Sequence, residues 1–273
     1  KFSNSLPVAI ASIGSSKITL LIGSAITVGA DATIPDNIIL WFVGPGKLFV
    51  NSGKVLTINS PSQVLAHTQQ QVFDGLGTIT FTNGGIVSPG WWGFSSGGTA
   101  ATNTDAYNAC ATSITTSGGA IIIPPTGSAH QVDGPLTHPN ESISVVGAHQ
   151  DLSIIESTST TSSDHGLIFS NSFHLKNLTI KTATSLASNL SMRAVSLFAP
   201  STTNRHAVLE HVKVRGFNTG VYIDGGASRN IDRVLLRDID IQTSGPASDY
   251  AGSCLYIVRC TQVECYGAVL DQN

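Results

Sequence analysis

A six-residue phrase that recurs through the second half of the chain constrains its fold more than any other feature. It appears as Leu175-Lys-Asn-Leu-Thr-Ile180, Leu209-Glu-His-Val-Lys-Val214 and Leu236-Arg-Asp-Ile-Asp-Ile241, with a weaker fourth copy at Cys260-Thr-Gln-Val-Glu-Cys265. Positions one, four and six are apolar; positions two, three and five are polar. The starts lie 34, 27 and 24 residues apart, a period that signals a repeat architecture. The units are short, β-branched and bounded by Gly, Asn or Asp, so they read as strands. A coil of about two dozen residues cannot bury its apolar side alone, and stacking identical coils into a parallel β-helix solves that problem. The longer first interval needs an insertion, for which Thr182–Asn204, rich in Ser, Thr and Ala, is the expected loop.

In-register stacking makes columns about 4.8 Å apart. Leu175, Leu209, Leu236 and Cys260 point inward, as do Leu178, Val212, Ile239 and Val263. Asn177, His211, Asp238 and Gln262 form a polar column at a bend, where such side chains satisfy backbone groups left open by the turn. Lys176, Glu210, Arg237 and Thr261 point outward, as do Thr179, Lys213, Asp240 and Glu264.

Composition narrows the function classes. Only 11% of the 273 residues are charged, net charge is −3 and there is no basic run, which argues against a nucleic-acid partner. At 41% hydrophobic residues the chain is not disordered, and no apolar run approaches the ~20 residues of a transmembrane helix. The polar surface is therefore built from Ser, Thr, Asn and Gln, as in proteins that face carbohydrate. Cys110, Cys254, Cys260 and Cys265 have no metal-binding spacing; they read as buried free thiols, with one disulfide as the alternative. No Asp-rich calcium loop, nucleotide-binding loop or serine-hydrolase motif is present, so neither metal nor cofactor is expected. The end of the chain, Gly267–Asn273, reads as the middle of another coil, so the stack is expected to continue.

The chain is expected to divide into a β-rich, solenoid-like segment over 1–93 and a parallel β-helix domain over 94–273. In the first, short strands such as Ile38–Val43, Lys47–Val50 and Val55–Ile58 alternate with Gly- or Pro-containing turns. Trp91 and Trp92 close it, either as a sugar-stacking platform or, more commonly for such a pair, as a plug between modules. A helix follows over 105–114, capped by Asn103 or Thr104, with Ala106, Ala109, Cys110 and Ile114 on one face. It would cover an open sheet edge.

That helix, then Gly118-Gly119, the apolar strand Ala120–Ile123 and Pro124-Pro-Thr-Gly127, resembles the entry to the pectate-lyase-like right-handed β-helix superfamily. The preceding Val87–Gly93 is similar to the segment before this entry in phage tailspike proteins, and Ser144–Gly147 with Ser153–Ile155 resembles the family's next coil. The helix is short for that family, and Gly97-Gly-Thr-Ala-Ala-Thr-Asn103 stands where a Gly-Asp-Gly lead-in is usual. The resemblance implies an all-β right-handed parallel β-helix and a tailspike-like protein of the virion tail. It would bind, and could depolymerise, a bacterial surface polysaccharide as a homotrimer, alongside other tail proteins and without membrane insertion. A secreted polysaccharide lyase or hydrolase and a non-catalytic adhesin are the alternatives, since one fold hosts all three.

Sugar-polymer cleavage needs two carboxylates, or a base opposite a cation. Asp240 and Glu264 share an outward column, which would set them roughly 5 Å apart, near the retaining-glycosidase spacing. The structural reading of the same residues is a charge ladder in which Lys213 pairs with Asp240 and Arg237 with Glu210. Asp224 ends a strand and is the third catalytic candidate, with Asp232, Asp238 and Asp249 nearby. Lys213, Arg237, Trp91 and Trp92 are the substrate-binding candidates. His206 and His211 could serve as bases, although a structural hydrogen bond is expected of His211.

Overall fold

The computed structural model describes residues 5–138, 142–159, 166–183, 192–198, 205–226, 231–243 and 253–272. It is an all-β parallel solenoid of about eight turns, the architecture of right-handed β-helix proteins. Every strand pairing is parallel, and each coil has three faces. Three N-terminal coils stack Ile18–Ile22 on Ile38–Phe42 on Val64–Leu65, Ala25–Val28 on Lys47–Val50 on Phe73–Gly75, and Ala32–Ile34 on Val55–Ile58 on Thr78–Phe81.

From Gly85 onward the first face runs Gly85–Val87, Gly119–Ile123, Ile143–Gly147, the N-terminal parts of Phe173–Thr182 and Arg205–Arg215, Ile231–Arg237 and Cys260–Tyr266. The second face comprises Ala129–Val132, Ile154–Ser157, the C-terminal parts of the same two long strands, Asp240–Thr243 and Val269–Gln272. The third comprises Leu136–His138, Leu167–Phe169, Arg193–Leu197, Thr219–Asp224 and Leu255–Val258. The strand Arg193–Leu197 lies inside the Ser/Thr-rich stretch expected to be a loop, so that stretch carries a third-face strand instead.

Alternation with period two sends apolar side chains into the coil stack. Val87, Ile121, Val145, Leu175, Leu209 and Leu236 form one inner column across six coils, and all are fully buried. The buried apolar residues from Leu6 to Ile241 make one contiguous cluster.

The first three copies of the phrase stack as expected: Leu175 on Leu209 on Leu236, Lys176 on Glu210 on Arg237, and Thr179 on Lys213 on Asp240. The fourth copy is displaced. Leu236 pairs with Cys265, Arg237 with Tyr266 and Asp240 with Val269, so the true fourth copy begins at Cys265, five residues later than expected. Val263 accordingly stacks on Val234.

The bend column has a backbone cause. Asn177, His211 and Asp238 take φ of 56°, 51° and 48°, the left-handed region in which Asn, Asp and His are the tolerated side chains. The next member is Gly267, at φ 63°, not Gln262. Glycine enters that region without steric cost, and a Cβ there would meet Asp238 Oδ1 at 2.4 Å.

Two helices cover strand edges. Helix α1, Leu6–Ile13, buries Leu6, Ala9 and Ile13 against the first coil. Helix α2, Ala100–Ser113, packs between the strand Thr78–Phe81 on one side and Ala129–Val132 and Leu136–His138 on the other. It begins five residues before the expected start because Thr99 is the N-cap, its Oγ1 accepting from the Thr102 N–H. Asn103, expected to cap, is buried: its amide donates to the Ser95 and Gln131 carbonyls and its Oδ1 accepts from the Ser95 N–H. Ala106, Cys110 and Ile114 face inward as expected, joined by Tyr107 and Ala111, whereas Ala109 is exposed.

Candidate functional surface

The sequence-nominated residues fall on different faces. Arg237 and Glu264 project from the first face, Lys213 and Asp240 from the second, and Asp224 ends a third-face strand. Asp240 and Glu264 are therefore not stacked neighbours: Asp240 lies over Val269, and Glu264 over Leu235. The paired-carboxylate geometry expected from the sequence is absent, because Cys260 stacks on Ile231 rather than on Leu236, which shifts Glu264 away from the column of Asp240.

Each of these carboxylates has a cation of its own. Arg215, rather than Lys213, grips Asp240, while Lys213 Nζ reaches Asp151 Oδ1 at 2.9 Å. Arg259 pairs with Asp224, which also accepts from Tyr222 Oη at 3.4 Å. Arg233 donates to Glu264 at 2.8 Å, and Gln262 and Tyr266 donate to it as well. The Arg233 hydrogen bond holds the Glu264 carboxyl below its usual range. Arg237 pairs with Glu210 at 3.1 Å, as the ladder reading expected. His211 meets Asp238 at 3.3 Å across the bend column, the structural role expected of it. Asp249 lies outside the described residues.

Trp91 is only 7% exposed and its ring packs edge-on against Phe73, so it offers no face to a sugar and serves as a core residue. Trp92 is half-buried and lies 5.0 Å from Phe73. The four cysteines are free thiols. Cys110 is buried, and burial pushes the Cys260 thiol up to about 11. Cys265 occupies the inner column of Leu236 yet is exposed, since no described strand stacks on its far side.

The densest polar array is the outer side of the first face. Three outward columns run along it: Ser172, His206, Arg233 and Gln262; Ser144, His174, Val208, Leu235 and Glu264; and Val146, Lys176, Glu210, Arg237 and Tyr266. Glu210 is its hub. Its side chain is 13% exposed, and His174 Nε2 at 3.1 Å, Lys176 Nζ at 3.5 Å and Arg237 Nη1 at 3.1 Å converge on it. Burial pushes the Glu210 carboxyl up, but the His174 hydrogen bond and the charges of His174 and Lys176 outweigh it and hold the group low. Beside the hub, Ser142, Ser144, Ser172, His174 and His206 line a groove of about 230 Å³. Glu210, His174 and Arg233 were not on the sequence-based list. The signal for them was the outward second position of the same phrase, which is Glu210 itself, extended two residues upstream to reach His174 and four to reach Arg233.

On the third face Tyr222 and Tyr256 stack at 4.9 Å with 11° between planes, and the Arg193 guanidinium lies 3.7 Å from the Tyr222 ring centre. The repeated words Val221-Tyr-Ile and Leu255-Tyr-Ile could have revealed this ladder. Both faces of Tyr222 are taken, so that ring is a stacking element of the solenoid and not a sugar platform.

The fold thus defines a class, a parallel β-helix with a charged outer face. Compared with known proteins, the chain matches no family model, and no curated protein or solved structure is detectably similar to it.

Proposed function

We propose that the chain is a tailspike-like receptor-binding β-helix that docks along an acidic bacterial surface polysaccharide through the outer side of its first face. The observation that carries this reading is the cation surplus there: Lys176, Arg233 and Arg237, with His174 and His206, against Glu210 and Glu264. The carboxylates hold the cationic arms in fixed poses, so less side-chain freedom is lost when sugar acids replace water around them. Successive side chains lie about 4.8 Å apart along the axis and about 6.6 Å along each strand, a comb suited to a repeating polymer.

Glu210 and Glu264 are both held ionised, so neither supplies the protonated acid that glycoside hydrolysis needs. The reading is accordingly one of recognition; cleavage at this face would run by β-elimination, with a histidine as base and arginine neutralising the uronate.

In this reading the protein assembles as a homotrimer in the virion tail, beside other tail proteins. The stacked, exposed Leu21, Trp41 and Leu65 of the N-terminal coils are apolar surface that such an assembly would cover.

The test is binding to a panel of acidic and neutral bacterial capsular and lipopolysaccharide glycans, with reducing ends and the ultraviolet absorbance of unsaturated uronates read in parallel. Salt-sensitive binding to an acidic glycan, lost in Arg233→Ala/Arg237→Ala, supports the reading; binding only to neutral glycans, or none, refutes it. Absorbing products from a protein that light scattering finds monomeric would favour the secreted lyase. Reducing ends without absorbance would favour a hydrolase.

A further inference from the structure

We propose a second ligand site, independent of the first-face reading, in the cleft where helix α2 meets the third N-terminal coil: it takes a sugar-sized molecule bearing a protonated amine. The cleft has a volume of about 470 Å³, within the range of small-ligand sites. One wall is the half-buried Trp92 indole, held by its contact with Phe73. Two carboxylates face the same space. Asp74 binds Lys47 at 2.6 Å and the Gly75 N–H at 2.8 Å, which fixes its direction. Asp105, exposed on α2, has no ion pair among the described residues. Gln71 donates its amide N–H to the Phe73 carbonyl, which leaves its side-chain oxygen as an acceptor.

The cleft is kept open by small residues. Gly93 sits at φ 95°, and a Cβ there would meet the Gln71 amide at 3.3 Å; Ala106 lies on the helical wall. The inventory of an aromatic wall, two carboxylates against one lysine, and an amide oxygen matches an ammonium group. The cation gains from the indole face and from charge-assisted hydrogen bonds to Asp105 and Asp74, while the sugar skeleton covers the ring. A neutral sugar would leave Asp105 desolvated without a partner, and an acidic sugar would be repelled. The preference is therefore opposite to that proposed for the first face.

The experiment titrates the whole chain at pH 7 and low salt with D-glucosamine and, separately, with N-acetyl-D-glucosamine, read by saturation-transfer NMR and tryptophan fluorescence. Glucosamine should bind about tenfold more tightly than its acetylated form. Asp105→Asn, an exposed substitution without folding risk, should cut that difference to about threefold or less, the remainder coming from Asp74. Trp92→Ala should weaken both sugars, and Arg237→Ala should change neither, which separates this site from the first face. Equal binding of the two sugars, absence of glucosamine binding at millimolar concentrations, or discrimination that is undiminished in Asp105→Asn would overturn the proposal.

Discussion

Lowering the pH from 7 to 5 should destabilise this fold chiefly through the buried His138, with His130 adding to it because burial lowers that imidazole too, and replacing His138 with glutamine should remove the larger share of the effect. The imidazole lies on an inner column of the third face, stacked on Phe169 at 4.2 Å. Its Nδ1 faces the Ile168 carbonyl at 3.1 Å, which can only accept, so Nδ1 carries the proton and Nε2 accepts from Tyr107 Oη at 2.9 Å. The neutral ring is satisfied at both nitrogens, and a second proton would sit in a dry core. Burial accordingly holds His138 at about 4, against an ordinary 6.5. The unfolded chain binds a proton near 6.5 that the folded chain refuses until about 4, so stability is lost as pH falls through that window. At about 1.4 kcal/mol per pH unit the full effect is about 3 kcal/mol, and about 2 kcal/mol of it arises between pH 7 and pH 5. Asp74, Glu156 and Glu210 are held below their usual values. Their stabilising contributions persist until more acidic pH, which leaves the window to histidine. Urea unfolding at pH 7, 6 and 5, followed by circular dichroism, measures the slope. His138→Gln keeps a donor for Ile168 and an acceptor for Tyr107, so its pH 7-to-5 loss should shrink by about 2 kcal/mol. An unchanged slope in that variant, or a His138 Hε1 NMR signal that titrates near pH 6.5 in the folded protein, would refute the reasoning.

Other expectations follow from the stacking. Leu209→Ala empties a place in the inner column between Leu175 and Leu236 and should cost about 2–5 kcal/mol in urea unfolding; a loss under about 1 kcal/mol would mean that the coils on either side close the gap. Asn177→Gly should leave stability within about 0.5 kcal/mol, while Asn177→Val should cost about 1–2 kcal/mol more, because a β-branched residue resists the left-handed backbone; equal midpoints for the two would show that the bend relaxes. In a thiol-reagent titration of the native protein Cys265 should react first, and Cys110 only on unfolding, since one is exposed and the other fully buried.

Much of the fold was readable because a solenoid repeats one local rule. The alternation in Leu175–Ile180 and its two successors dictates which side chains face the core, and two of the three expected pairings between successive copies hold to the residue, the third being displaced by five residues. The bend column was also legible: Asn, His and Asp at position three mark a backbone that ordinary side chains avoid. The third face was less so. Its strand Arg193–Leu197 sits among small polar residues, and the Tyr222–Tyr256 ladder depends on words 34 residues apart that no single phrase announces.

The candidate site was legible only in part, for a physical reason. Position along the chain gives a side chain's direction, inward or outward, through the strand period alone. It does not give the neighbour across the coil, because the connections between faces vary in length and each variation shifts the register of the next strand. Glu264 thus moved from the column of Asp240 to that of Leu235, and Asp240 took Arg215 as its partner. Fold class, inner columns and the left-handed corners were determined by the sequence itself, since these rest on residue type and local period. Which cations surround Glu210, the burial of Trp91 and the proton-refusing core around His138 were decided only by tertiary packing, which sets His174 against Glu210 from 36 positions away and Asp151 against Lys213 from 62.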